Sequence, residues 1–131
     1  MQLIANNSYP ITNTGFTTGF FLPLTLTNVS ALAFYVQTKA VADSPYTLVS
    51  ECGYLRCNAV GGAMTVNLPA ATGNGRLVTI KKIDASANAV TIDGSGSETI
   101  DGATTYVLTA QWHVVQFIDA AAGLWEITST G

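Results

Sequence analysis

The sequence predicts an all-β fold, in which short antiparallel strands form a compact sandwich or barrel-like domain after an extended N-terminal arm. The 18 threonines, with the valines and isoleucines, favour strands because β-branched side chains fit a pleated surface. Gly, Asn and Asp recur at short intervals and mark turns between strands of about four to eight residues. No stretch has a convincing helical periodicity, which favours strands over helices.

The predicted strands follow one another from Tyr46 onward. Their segments read "YTLVSE", "GYLRCNAV", "AMTVNLP", "RLVTIKKID", "AVTID", "TIDG", "TTYVLTA", "WHVVQFID" and "WEITST". Pro69 ends the third strand because it has no N–H for a ladder. In the fourth, Leu77, Thr79 and Lys81 alternate with Val78, Ile80 and Lys82. Upstream, "NVSALAFYVQTKAVA" (28–42) is a strand in the first interpretation and a short helix in the second.

The segment before these strands has a different composition. The stretch "NNSYPITNTGFTTGFFLPLTLTN" (6–28) carries no charged residue, and Phe16, Phe20 and Phe21 cluster around glycines. A free tail is usually more charged, so this composition favours an arm that lies against another surface. We therefore expect an N-terminal arm over residues 1–44 and a β-rich domain over 45–131, with a boundary near Asp43-Ser44-Pro45.

The chain carries few charges. Five Lys/Arg and eight Asp/Glu make up 10% of the residues, against about 25% in typical soluble domains. Such a surface predicts burial between subunits or against a larger partner. The net charge of −3 and the scattered basic residues argue against nucleic-acid binding. The sequence shows no export signal and no apolar run of about 18 residues. We therefore expect that the protein is assembled in a cytoplasm and does not insert into a membrane.

The acidic segment "DGSGSETIDG" (93–102) lacks residues that three kinds of site require. As a calcium loop starting at Asp93, it has Glu98 where glycine is needed and Thr104 where a bidentate Glu is needed. It lacks the lysine and helix of a phosphate loop. Asp93, Glu98 and Asp101 could form a carboxylate pair for glycoside cleavage, but both aspartates precede glycine in turn dipeptides. The segment is therefore interpreted as turns.

Other reactive residues also favour structural roles. Cys52 and Cys57 are expected to face opposite sides of one strand as buried or half-buried free thiols. His113, the single histidine, has no nucleophile motif to serve and is expected in a strand, packed or facing another subunit. Lys81 and Lys82 should point to opposite faces, and one could pair with Asp84 or with another chain. We expect no enzymatic activity, no catalytic residues, no cofactor and no metal.

The segments "TVNLPAA", "GRLVTIKKIDASANAVTIDG", "ETIDGATTYVLTAQW" and "GLWEI" occur in this order. Together they resemble a β-rich module of tailed-bacteriophage virion proteins, found in head decoration, head fibre and tail fibre proteins. The resemblance covers roughly Tyr46 to Thr128, and "WHVVQFIDAAAGLW" departs from the usual, more polar pattern. It implies an all-β, usually trimeric, virion-exposed module without enzymatic activity.

Within that family the short arm favours a capsid decoration (cement) protein over a tail or head fibre component, since no long shaft is visible. The expected partners are the major capsid protein and two further copies of the chain, with a host surface glycan or receptor in the fibre alternative. The expected location is the capsid surface of the virion. Candidate capsid contacts are Tyr9, Phe16, Phe20, Phe21 and Leu22. Candidate inter-subunit residues are Phe34, Tyr35, Trp112, Val114 and Trp125. For the aromatic residues Tyr106, Trp112, Phe117 and Trp125, packing in the core and a sugar-binding platform are the alternatives.

Overall fold

The structure, a computed structural model, describes residues 35–131. Ten strands and one short 3-10 helix, Val41–Asp43, make up the regular structure of this part. The strands are β1 (Tyr35–Ala40), β2 (Tyr46–Thr47), β3 (Cys52–Asn58), β4 (Met64–Asn67), β5 (Leu77–Lys82), β6 (Val90–Asp93), β7 (Thr99–Ile100), β8 (Thr105–Leu108), β9 (Val114–Ala121) and β10 (Leu124–Thr130). The all-β prediction is confirmed for these residues.

The strands form two sheets, between which the chain winds. A six-stranded sheet has the order β1-β3-β5-β9-β10-β7, and a four-stranded sheet has the order β2-β4-β6-β8. Each pair β1–β2, β3–β4 and β5–β6 places one strand in each sheet, and we call such a pair a coil. The three coils stack in parallel, after which the antiparallel strands β9 and β8 cover β5 and β6.

The prediction of antiparallel strands is wrong for most of this domain. Five of the eight strand pairings are parallel, namely β1–β3, β3–β5, β2–β4, β4–β6 and β7–β10. Short turns normally join antiparallel neighbours. Here each short turn carries the chain to the other sheet, so consecutive strands do not pair until the β9–β10 hairpin. Coil winding therefore produces parallel pairing without long crossover helices.

The hydrophobic core lies between the two sheets. In β5, Val78 and Ile80 are fully buried, as are Val66 of β4 and Ile92 of β6 from the other sheet. Strand alternation explains this pattern, because every second side chain of a strand points to the same face. Across the core, Tyr106 meets Phe117 edge to face, with ring centroids 6.2 Å apart. The alternation of residues 77–82 in the sequence predicts this burial.

Strand β1 changes the expected domain boundary. It pairs with β3 from Tyr35 to Ala40, so these residues belong to the six-stranded sheet. The strand interpretation of residues 28–42 is confirmed over 35–40, while Val41–Asp43 form a 3-10 helix. The boundary predicted near Asp43-Ser44-Pro45 falls inside the β-rich domain, between β1 and β2. Residues 1–34, with most of the predicted arm, lie outside the described residues.

The two cysteines are buried free thiols, as predicted, but their predicted orientation is wrong. Cys52 and Cys57 are both fully buried, although five positions separate them on β3. The register between β1 and β3 shifts at this point, because Tyr35 pairs with Cys52 and the next residue pairs with Tyr54. The extra residue, Gly53, resets the alternation so that both thiols face the core. Burial raises the pKa of Cys57 to about 12, which keeps this thiol protonated and unreactive.

The segment "DGSGSETIDG" forms turns on both sides of the short strand β7, in agreement with its interpretation. Asp101 and Gly102 both have positive φ, 50° and 92°, and the flanking residues Ile100 and Ala103 exchange backbone hydrogen bonds. This is the geometry that favours Asp-Gly in two-residue hairpins. Gly94 is required for space, since an added Cβ would lie 2.6 Å from the carbonyl oxygen of Glu98. The Glu98 carboxylate in turn accepts the N–H of Ala71.

Candidate functional site

The side of the six-stranded sheet that points away from the core is the first candidate site, and we call it the outer face. Tyr54, Thr79 and Gln116 form one row across it, because Tyr54 pairs with Thr79 and Thr79 pairs with Gln116. Alternation with the buried Val78 and Ile80 directs Leu77 and Thr79 to this face. The row extends to Val36 of β1, which pairs with Tyr54. The outer face thus contains side chains from four adjacent strands.

An apolar groove occupies the middle of the outer face. Its volume is about 340 Å³, and its main lining residues are Tyr35, Val36, Tyr54, Leu77, Thr79 and Gln116. Val36 is 60% exposed, and Tyr35 and Leu77 are each 47% exposed. Scattered exposed apolar residues are ordinary, whereas contiguous exposed apolar patches mark interaction sites. The groove is therefore a candidate surface for binding another protein.

Charges of opposite sign lie at the two ends of the outer face. Arg56 pairs with Lys81 at the end of β3 and β5, whereas Glu126 of β10 lies opposite Ile118, which pairs with Leu77. Leu77 and Lys81 are four residues apart on one strand, which separates the two rows by about 13 Å. Among residues 35–131 the two ion pairs are Lys39–Asp43 and Lys82–Asp84. Arg56, Lys81 and Glu126 therefore form no ion pair within the described chain.

Trp112 lies beside the basic end of the outer face. Its ring is 56% exposed, and the Lys81 ammonium is 5.7 Å from the ring centroid. The residue belongs to a turn, with φ of 72° and a hydrogen bond from the N–H of His113 to the carbonyl of Ala110. Glycine normally occupies such a left-handed turn position. The prediction of a strand from Trp112 onward is wrong at its first two residues, and His113 is exposed ahead of β9 instead of packed within it.

The predicted inter-subunit residues have different environments. Tyr35 and Trp112 are exposed and Val114 is half-buried, so they remain available for a contact that is still a prediction. Trp125 is fully buried in the core of its own chain and donates its indole N–H to the carbonyl of Pro69 at 3.2 Å. Its assignment to a subunit interface is therefore wrong. Phe34 and the predicted capsid contacts Tyr9, Phe16, Phe20, Phe21 and Leu22 lie outside the described residues.

A polar recess lies on the four-stranded sheet. Thr47, Asn67 and Asp93 end the parallel strands β2, β4 and β6, and they pair in register across the sheet. With loop residues 68–70 and 94–96 they line a recess of about 490 Å³. The Asp93 carboxylate accepts no hydrogen bond from the described part of the chain. Amide, hydroxyl and carboxylate groups in one recess suit a neutral, hydroxyl-rich ligand better than an anion.

Lys82 is the most deeply buried charged side chain, and it is paired with Asp84 as the sequence allowed. Its Nζ lies 2.8 Å from Asp84 Oδ1 and also donates to the backbone carbonyls of Asp84 and Ser86. Asp84 Oδ2 accepts the N–H of Ala59, which joins the β5–β6 connection to the β3–β4 turn. All three ammonium protons therefore have acceptors, as a buried charge requires. Both partners belong to the β5–β6 coil, and the carboxylate that Lys82 holds connects this coil to the β3–β4 coil through the N–H of Ala59.

Asp119 of β9 is a second buried carboxylate with a structural role. Its oxygens accept the backbone N–H of Thr72 and Gly73 at 2.8 and 2.6 Å, and the Thr72 hydroxyl at 3.1 Å. Burial alone would raise the pKa of Asp119, but the hydrogen bonds from this loop outweigh burial and lower it. Burial opposes ionisation of Asp84 in the same way, and hydrogen bonds from Lys82 and Ser86 lower the pKa of that carboxyl well below its usual range. Both groups stabilise the fold in their charged form.

The free energy of unfolding should fall steeply when the pH drops below about 4, the ordinary pKa of an aspartate. Because the folded-state pKa values of Asp84 and Asp119 are lowered, their contribution is complete above the unfolded-state pKa and is lost as the pH falls toward the folded-state values. Urea unfolding at pH 7, 5 and 3 measures it. Asp119→Asn should flatten the acid dependence, whereas Asp93→Asn should not. Equal slopes in wild type and Asp119→Asn would contradict the role of this carboxylate.

Asp93, Glu98 and Asp101, the candidate carboxylate pair for glycoside cleavage, have contacts that place them in different parts of the structure. Glu98 binds the N–H of Ala71, Asp101 Oδ1 accepts the N–H of Ile127 at 3.2 Å, and Asp93 faces the polar recess. Over residues 35–131, no group of three or more His, Cys, Asp or Glu side chains could hold a metal ion. In the same residues no helix is long and apolar enough to cross a membrane. Besides a smaller pocket of about 220 Å³ lined by Tyr106, His113 and Val114 among others, the described residues offer the groove and the recess as candidate sites.

Comparison with known proteins adds no relative. No model of a protein family matches the chain, and a search of curated proteins gives no match.

The groove residues Val36, Tyr54 and Leu77 were not predicted as a site. A signal for one of them was present, since Leu77 is the apolar member of the otherwise polar series Leu77, Thr79 and Lys81.

Proposed function

We propose that this chain is a bacteriophage virion structural protein, a capsid decoration protein that binds the capsid surface as a homotrimer and bridges neighbouring capsid subunits. The observation that carries the proposal is the apolar groove on the outer face, formed by Tyr35, Val36, Tyr54 and Leu77. A domain with such a groove and few surface charges is built for contact with other protein surfaces. The resemblance of residues 46–128 to virion modules supplies the setting.

The mechanism is mechanical and not catalytic. Each trimer buries surface on several capsid subunits at once, so separating those subunits requires breaking the contacts of the trimer as well. Three joined chains also bind as one multivalent unit, because the second and third contacts form at high effective concentration. The uncharged segment 6–28 is the proposed attachment arm, and the major capsid protein is its partner. The protein would then be assembled in the bacterial cytoplasm and carried on the virion.

Purified protein should add back to bare expanded capsids in a fixed stoichiometry and raise the temperature at which they lose their DNA. The comparison variant lacks residues 1–27, which removes the proposed arm but leaves β1 and every other described strand intact. This variant should keep its β-sheet circular dichroism and its thermal transition while losing capsid attachment. If the wild-type protein does not bind capsids, the decoration role is wrong. If the truncated variant still binds them, the capsid contact lies outside residues 1–27.

A second candidate function is a tail or head fibre component that binds a host surface glycan. The polar recess favours it, because Thr47, Asn67 and Asp93 present hydroxyl, amide and carboxylate groups in register, and within residues 35–131 the Asp93 carboxylate accepts no hydrogen bond. The same purified protein discriminates the two functions. Binding to host cells or to their purified surface glycan, abolished by Asn67→Ala and accompanied by no capsid binding, would establish the fibre function in place of decoration.

A further inference from the structure

We propose that copies of this chain meet through the outer face, with Arg56 and Lys81 of one copy against Glu126 of the next. The apolar groove between these two ends is then covered by the neighbouring copies. The inference rests on the homotrimer in the proposed function and deepens it, because it names the surface and the direction of the contact. It does not depend on which capsid or cell surface the assembled protein binds.

The first support is the chemistry of the groove. Parallel strands are normally covered on both faces, and β1, β3 and β5 run parallel to one another. Their inner side packs in the core, whereas Val36, Tyr54 and Leu77 project from the other side. Tyrosine and leucine in a shallow groove are typical of the apolar centre of an interface, and a tyrosine loses little conformational freedom on contact. The outer face is thus half of a buried surface.

The second support is the distribution of charge around the groove. Lys81 and Arg56 lie in one row at one end, and Glu126 lies in the row of Leu77 at the other. Arg76 precedes Leu77 at this end and lies near Glu51, whose pKa is lowered first by a hydrogen bond from Ser50 and more weakly by Arg76. The Arg76 guanidinium itself donates to the carbonyls of Val49 and Cys52, so it remains bound to its own chain. The face therefore has one basic end and one acidic end.

The occupants that match both ends are two further copies of the chain, one at each end of the face. A partner surface of a single sign would be attracted to one end and repelled by the other. In a head-to-tail arrangement, the basic end of each copy meets the acidic end of its neighbour, and such a heterologous contact closes when the rotation between copies completes a ring. Three copies would place their grooves around a common axis. The pairing follows from the positions of Arg56, Lys81 and Glu126 on the full chain.

Analytical ultracentrifugation of the full chain at micromolar concentration tests the apolar part. The wild type should sediment with the mass of three chains. Leu77→Asp, on the groove, should convert it to monomer, while Val60→Asp, at a 68% exposed valine in the β3–β4 turn, should leave the mass unchanged. Circular dichroism verifies that both variants are folded. A monomeric wild type, or a Leu77→Asp variant that keeps the wild-type mass, would refute the inference.

Charge exchange tests the direction of the contact, and it does so without altering the groove. Glu126→Lys and Arg56→Glu should each weaken association by about tenfold, because like charges then meet between copies. The double variant carries both changes and again places opposite charges at positions 56 and 126, so its association should recover. Absence of recovery would refute the head-to-tail pairing. A wild-type mass of two chains that responds in the same way would support the face but overturn the trimer.

Capsid add-back with the same variants separates this inference from the proposed function. A monomeric Leu77→Asp protein that still binds capsids, more weakly than wild type, supports both ideas. If Leu77→Asp disrupts the trimer but the wild type does not bind capsids, only the decoration function is overturned. An intact Leu77→Asp trimer that binds capsids like wild type overturns the outer-face contact alone.

Discussion

Replacing Asp84 by alanine is expected to destabilise the domain by about 3–5 kcal/mol, the usual cost of leaving a buried charge without its partner. Lys82 has no exposed surface, and its ammonium lies 2.8 Å from the Asp84 carboxylate. The substitution also leaves the N–H of Ala59 without its acceptor. Urea unfolding followed by tryptophan fluorescence at pH 7 measures the change in the free energy of unfolding.

Two further variants identify the cause of that loss. Asp93→Ala removes a carboxylate that accepts no hydrogen bond within residues 35–131, and it should change stability by no more than about 0.5 kcal/mol. Lys82→Met combined with Asp84→Ala removes both charges and should recover part of the loss, since no unpaired ammonium remains. If Asp84→Ala unfolds at the same urea concentration as wild type, the ion pair contributes nothing to the connection between coils.

Trp125→Ala is expected to cost about 3–5 kcal/mol, as large aromatic truncations in cores do. The side chain is fully buried, and its indole N–H donates to the carbonyl of Pro69. Truncation therefore creates a cavity and leaves a carbonyl without its donor in the same place. Thermal unfolding followed by circular dichroism measures the loss without relying on the removed fluorophore.

Trp112→Ala is the matched control for the size and chemistry of the side chain. Trp112 is more than half exposed and contacts Lys81 from outside the core. Its removal should change the midpoint of unfolding far less than Trp125→Ala does. If the two tryptophan variants lose equal stability, the assignment of Trp125 to the core and Trp112 to the surface is incorrect.

Local sequence predicted the strands and many of their ends, because alternation and turn residues are local signals. Val78 and Ile80 are buried as their alternation predicts, and Asp101-Gly102 forms the tight turn that this dipeptide favours. Lys82 carried a signal of its own, since a lysine in phase with two buried residues needs a partner within reach. The pairing with Asp84 was one of two predicted alternatives, the other being a pairing of Lys81 or Lys82 with another chain.

Local sequence does not encode which strands pair with one another, or in which direction. A strand such as β3 has the same alternation whether its neighbour is parallel or antiparallel, so the winding of the chain between two sheets was missed. The bulge at Gly53 interrupts the alternation of side chains between Cys52 and Cys57. One extra residue in a strand reverses the face to which the side chains before it point. Trp125 and Trp112 look alike in sequence, and tertiary packing alone separates them. The groove is missing from the prediction because its residues come from four strands.

The antiparallel strands β8 and β9 cover one side of the stack of coils, while on the other side, within residues 35–131, β1 and β2 each have a single strand neighbour. A stack of this kind has a height that can change only in whole steps. Each added or deleted coil alters the height by the spacing of neighbouring strands, about 4.8 Å, and continues the same rows of side chains. Thr47, Asn67 and Asp93 already form such a row. Duplication of one coil would therefore lengthen both the polar row and the outer face together, while the covering strands stay unchanged.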